Sequence, residues 1–242
     1  MGDWATYSLD DFVMFSPRAW YGLLAMHNQA WWPLHMGVLV AGAGIAWALL
    51  RRLRAALRLT LMFVGAALLF VAAAFHAGPH AGINLAAPVF AYVFAAQGAA
   101  LILLALLSPA PPQGHSAGLT RLAIGLLVMA ILAYPAAAPM AGRPLVQSEW
   151  FALAPNPTML AALALNLLLL GGNIRLRHPL STAVLLSALP VAWCATAGAT
   201  AWVLGAPDWW LLPGAALLVV GVVGWHMLRR QQRAVAASVV NE

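Results

Sequence analysis

Ile83–Leu107 and Pro179–Leu204 each run without a single Asp, Glu, Lys or Arg. Both exceed the ~20 residues with which a helix crosses a ~30 Å hydrocarbon slab. Uncharged runs of that length must be covered by lipid or by protein. The chain has little polar surface to cover them with: 64% of its residues are hydrophobic and 7% charged, against about 25% charged in a soluble domain. The expected solvent is lipid.

Five further apolar runs complete the set: Pro33–Leu50, Leu59–His76, Leu119–Ala137, Thr158–Gly172 and Trp209–Leu228. The pattern predicts an all-α polytopic membrane bundle of about seven transmembrane helices over residues 33–233. An interfacial amphipathic segment (1–32) precedes it and a cytoplasmic tail (234–242) follows. In the first segment, Ser8 with Asp11 reads as a capping box and Ser16-Pro17 as a second helix start. Its Phe, Trp and Tyr residues suit the headgroup layer. Thr158–Gly172 is shorter than a full crossing usually needs, so a re-entrant loop is its alternative.

The formal net charge is +6 and there is no lysine. With seven spans and the N-terminus outside, Arg51, Arg52, Arg54, Arg58, Arg121, Arg175, Arg177, Arg229, Arg230 and Arg233 are all cytoplasmic. That agrees with the positive-inside bias, whereas six spans would split the group. The basic charge is therefore read as topology rather than as a nucleic-acid surface. Heavy use of alanine and arginine suits a GC-rich bacterial genome, and hence an inner membrane. The acidic start (Asp3, Asp10, Asp11) is unlike a cleavable signal peptide. The single cysteine, Cys194, excludes an internal disulfide and reads as a small apolar residue.

In this topology the polar residues gather at the extracytoplasmic side, around FHAGPHAGINLAAP (Phe75–Pro88). Histidines four apart on one helix share a face, so His76 and His80 are candidate metal ligands, with His35 at the same depth as a third ligand or as the axial partner of a haem. Gly78-Pro79 interrupts the helix, so spacing alone does not bring the rings together. Interfacial histidines bonded to loop carbonyls, or a proton-handling pair, are the other readings. Asn84, Gln97, Asn166 and Glu149 are candidate substrate or path residues. For Gln97 and Asn166, deep in their spans, the plainer reading is glue between helices. Glu149 with Arg143 reads as an outer-loop ion pair, and Asn156 before Pro157 as a helix cap.

The segments YSLDDFVMFSPRAWYGLL, Trp32-Pro33, FHAGPHAGINLAAPVFAYVFAAQG and LAPNPT resemble a bacterial family of multi-spanning membrane proteins of unknown function. The likeness runs almost the full length, and the His76-x(7)-Asn84-x-x-Ala87 turn is among its most recognisable parts. It implies an integral membrane protein and marks His76 and Asn84 as family features, but carries no activity, cofactor or site to transfer.

No phosphate-binding loop, zinc-protease helix, nucleophile elbow or carboxylate dyad is present, and no cofactor motif is evident beyond the metal or haem reading of the histidines. The expectation is a non-enzymatic membrane protein that binds or passes a small solute or metal ion at its extracytoplasmic face. The alternative is an accessory subunit of a membrane complex, such as a haem-holding redox one. Its partners are lipid and either a membrane protein or further copies of itself.

Overall fold

The computed structural model describes residues 8–107, 116–170 and 179–240, and every regular element among them is helical. The N-terminal signals act as read. The Ser8 N–H donates to Asp11 Oδ2 at 2.7 Å and opens a 3-10 turn, Leu9–Phe12. Ser16 Oγ then accepts the Ala19 N–H at 3.2 Å to start α1 (Pro17–Ala30). One face of α1 is built into the core, where Trp20, Leu23, Leu24, His27 and Asn28 are buried. A bend of 85° separates α1 from α2 (Leu34–Leu50).

Next come α3 (Ala56–Phe70), which continues as a π-helical turn through His76, and α4 (Ala87–Leu107). The following span begins as α5 (Ala117–Val128), passes through a second π turn, and ends as the short α6 (Ala137–Met140). Three helices complete the chain: α7 (Pro155–Leu170), α8 (Pro179–Val203) and α9 (Leu211–Val240). Among the described residues, five helical stretches are long and apolar enough to cross a membrane, or six if the bent α1–α2 pair counts as one span.

The count expected from composition was seven, and α7 accounts for part of the difference. It has 16 residues, every one of them buried, and packs against α3, α5, α8 and α9. A helix apolar around its whole circumference belongs inside a bundle. Ringed by other helices, it is covered by protein rather than lipid, so its ~24 Å length need not match the bilayer. The last two residues of the run expected there, 171 and 172, lie outside the described residues.

Gln97 and Pro190 explain each other. Proline has no N–H, so Pro190 inside α8 leaves the Leu186 carbonyl, four residues back, without its helical donor. Gln97 Nε2 on α4 donates to that carbonyl at 3.0 Å. The amide is therefore consumed as a link between two helices, the plainer of its two readings. Gln97→Leu should lower stability by about 1 kcal/mol. In a Pro190→Ala background the helix makes its own bond, and the loss should shrink. Thermal unfolding of the four proteins of this cycle checks it; equal losses in both backgrounds would refute the pairing.

Candidate functional site

A cavity of about 490 Å³ opens where α4, α7 and α9 begin and where α8 and the α5–α6 span end, with α1 and the segment before it as a further wall. Its lining includes the aromatic residues Trp20, Tyr21, Phe90, Tyr134, Trp193 and Trp209, and Glu149, Asp208 and Arg143 are its charged residues.

Glu149 is held from several directions. Asn28 Nδ2 donates to the carbonyls of Val146 (2.7 Å) and Ser148 (2.8 Å), tying the loop before Glu149 to α1. Ser148 Oγ donates to the Pro135 carbonyl at 2.6 Å. Just after Glu149, Ala152 takes a left-handed backbone (φ 67), which costs energy for a residue with a Cβ. Its N–H is caught by Thr158 Oγ1 at 2.9 Å. Helix α7 begins at Pro155, so Asn156 lies inside the first turn rather than capping it. Its side chain is free to accept from Trp193 Nε1 at 3.0 Å and to donate to Glu149 Oε1 at 3.0 Å.

Glu149 keeps some accessible surface, yet its Oε2 is buried and has no partner in the structure. Burial pushes the carboxyl up to about 8; the nearby Asp208 adds to the rise, and Asn156, Arg143 and Trp20 oppose it. Among the described residues no ion pair joins Glu149 to Arg143, contrary to the expected outer-loop pair. The guanidinium lies over the Tyr21 ring, 3.9 Å from its centroid, and donates to the Gln147 carbonyl at 3.4 Å. The ring face has taken the cation.

The two histidines of the Phe75–Pro88 stretch do meet. The π turn ends at His76, a 3-10 turn (Pro79–Gly82) follows, and the two Nδ1 atoms come within 2.9 Å. Their protons can be placed. The Ala86 N–H can only donate, so the Asn84 Oδ1 at 2.9 Å is its acceptor, and Asn84 Nδ2 faces His80 Nε2 at 3.2 Å. His80 Nε2 thus accepts, its Nδ1–H donates to His76 Nδ1, and the proton of His76 rests on Nε2. That last N–H has no hydrogen-bond partner and sits among the rings of Phe94 (centroids 4.5 Å apart) and Trp193 (5.4 Å).

His35 does not join this pair. Its Nε2 lies 3.3 Å from Asn28 Oδ1, and its ring packs on Trp32 and Trp150. Among the described residues no group of three or more His, Cys, Asp or Glu is placed to hold a metal ion. Of the other candidates, Asn84 and Glu149 reach the cavity wall, as does His80. Gln97 and Asn166 do not line this cavity. Asn166 Nδ2 turns back to the Ala162 carbonyl of its own helix at 3.3 Å. Cys194 is fully buried, as a small apolar residue would be.

Sequence reading missed Asn28 and Trp193 as supports of the site. Neither stands in a motif, since Asn28 reaches a loop more than a hundred residues away. A buried amide or indole must find a partner, but which partner depends on packing.

The class so defined is an all-helical protein of five or six long apolar helices, with a cavity at one end and a carboxyl group set into its wall. The chain belongs to a family of unknown function (DUF6064), whose model matches residues 18–234. No curated protein and no solved structure matches the chain.

Proposed function

We propose that this is a seven-span membrane protein, N-terminus outside and C-terminus in the cytoplasm, that binds a small solute at its extracytoplasmic face. The observation that carries the reading is the cavity of about 490 Å³ with Glu149 and several aromatic side chains in its wall. Ligand pockets combine apolar walls with a few placed polar groups, and an acid with a perturbed pKa in a cleft marks a candidate functional site.

The orientation rests on the arginines. Arg51, Arg52, Arg54 and Arg58 flank the α2–α3 connection, with Arg121 at the start of α5 and Arg229 far along α9. Helix register puts all of these at the end away from the cavity, and the positive-inside bias makes that end cytoplasmic. Binding is better supported than passage, because the deep amides Gln97 and Asn166 are outside the cavity wall. A solute is better supported than a metal, because three of the four nitrogens of the histidine pair bond to each other and to Asn84, and the fourth, His76 Nε2, is enclosed by the rings of Phe94 and Trp193.

The test is a panel of small amines, amino acids, carboxylates and sugars added to the protein in lipid nanodiscs, with the unfolding midpoint and tryptophan fluorescence as readouts. Trp20, Trp193 and Trp209 line the cavity and should report occupancy. At least one class should raise the midpoint saturably, and Thr200→Phe, which narrows the cavity, should abolish that rise. A panel that leaves the midpoint unchanged throughout would end the solute-binding reading.

A further inference from the structure

Resting on that reading, we infer that the solute is a small organic cation, an ammonium group on an apolar body, for which Glu149 is the counter-charge, and that Glu149 releases its proton as the cation enters. The cavity has the two parts such a ligand needs. Its walls include Trp20, Tyr134, Trp193 and Phe90, and aromatic faces attract cations, quaternary ammonium groups above all. Its polar feature is an acid rather than a base. Glu149 Oε1 is held by Asn156, while Oε2 is buried with no partner in the structure.

The other charged and titratable groups around Glu149 bear on the sign. Asp208 lines the same cavity and adds negative charge. Arg143 is the only basic side chain on the wall, and it is stacked on Tyr21 and bonded to Gln147. Tyr21 and Tyr134 face the site as phenols, and His80 faces it through a ring already bonded at both nitrogens. An anion would therefore meet two acidic side chains and an occupied guanidinium, whereas a cation would meet Glu149 and Asp208 among aromatic faces.

Proton release follows from burial. An ionised Glu149 without a companion charge is costly in this setting, and the carboxyl holds its proton up to about pH 8. A cation supplies the missing charge. The carboxyl O–H bond breaks, its electron pair stays on Glu149, and the proton leaves through the cavity mouth to water. The site gains one positive charge and loses one.

The experiment uses the full chain in nanodiscs with three probes: benzyltrimethylammonium, its neutral isostere neopentylbenzene, and the anion phenylacetate. Tryptophan fluorescence gives Kd, and an indicator dye in weak buffer gives proton release. The expected result is saturable binding of the cation alone, with close to one proton released per cation at pH 7. Affinity should rise by up to tenfold per pH unit from 6 to 8 and level off above. Glu149→Gln keeps the acceptor for Asn156 and should fold, but should weaken binding at least tenfold and remove both proton release and pH dependence.

Equal binding of the neutral isostere, tighter binding of phenylacetate, or cation binding without proton release would each overturn the inference and leave the solute-binding reading standing. Binding of none of the three would also overturn it. The solute-binding reading would then rest on the wider panel.

Discussion

Raising the pH from 5 to 9 will make Glu149→Gln progressively more stable relative to the native protein. In the folded state the carboxyl holds its proton up to about pH 8, because it is buried and faces Asp208. In the unfolded chain it ionises at the ordinary value of about 4.5. Between those values this carboxyl binds more protons in the folded state, so its contribution to stability decreases as pH rises and levels off once both states are ionised. At 1.36 kcal/mol per unit, the cost is on the order of 3–5 kcal/mol by pH 9. The glutamine variant has no proton to lose. It should match the native protein near pH 5 and exceed it above pH 8. A difference between the two proteins that stays constant from pH 5 to 9 would mean that Glu149 is not held neutral.

Gly198→Ala and Gly98→Ala will be the most damaging small substitutions in the bundle. A Cβ on Gly198 would overlap the Pro213 ring, with Cδ at 2.7 Å, and would press on the Trp209 carbonyl at 3.1 Å. These are ring and backbone atoms, which cannot rotate aside. A Cβ on Gly98 would lie 2.7 Å from the Gly65 carbonyl oxygen, and one on Gly65 would lie 2.9 Å from that of Gly98. Each helix thus approaches the other's backbone at a glycine, the arrangement by which small residues let apolar helices pack closely. Each substitution should cost about 3 kcal/mol or more and sharply reduce folded yield. Gly44 provides the control: a Cβ there meets nothing within 4 Å, so Gly44→Ala should be as stable as the native chain. If all three variants unfold alike, close packing at these glycines is not what holds the helices together.

The two predictions meet at the cavity, because Gly198 lines it along with Glu149. The α8–α9 contact that excludes a methyl group also sets one wall of the site. Loss of packing there should therefore carry loss of ligand response with it.

Much of the architecture was legible in the residues themselves. Uncharged runs marked the long helices, and Ser8, Ser16 and Pro17 marked the N-terminal starts, because capping is a local bond between near neighbours. The Gly78-Pro79 break was visible too. What it did to the histidines was not, since a π turn and a 3-10 turn together set the 2.9 Å approach of their Nδ1 atoms. Asn156 was misread as a cap because Asn-Pro is a strong local signal. With the helix starting two residues earlier, at Pro155, the side chain had somewhere better to go. Gln97 and Asn166 lie within α4 and α7, but position along a helix does not say whether an amide meets a cavity or a carbonyl.

The sequence by itself determined the class: an all-helical chain too apolar for a polar coat, with its described arginines mostly at one end of the helices and its histidines, asparagines and Glu149 mostly at the other. That follows from hydrophobicity and charge, which act on a helix wherever its neighbours stand. Only the tertiary structure decided that Glu149 is a buried acid instead of a surface ion pair. Asn28 and Trp20 on α1, Asn156 on α7 and Trp193 on α8 come from three separate stretches of chain, and Arg143 was drawn to Tyr21 instead. The state of a buried carboxyl is set by what surrounds it within a few ångströms, and no local pattern of residues contains that information.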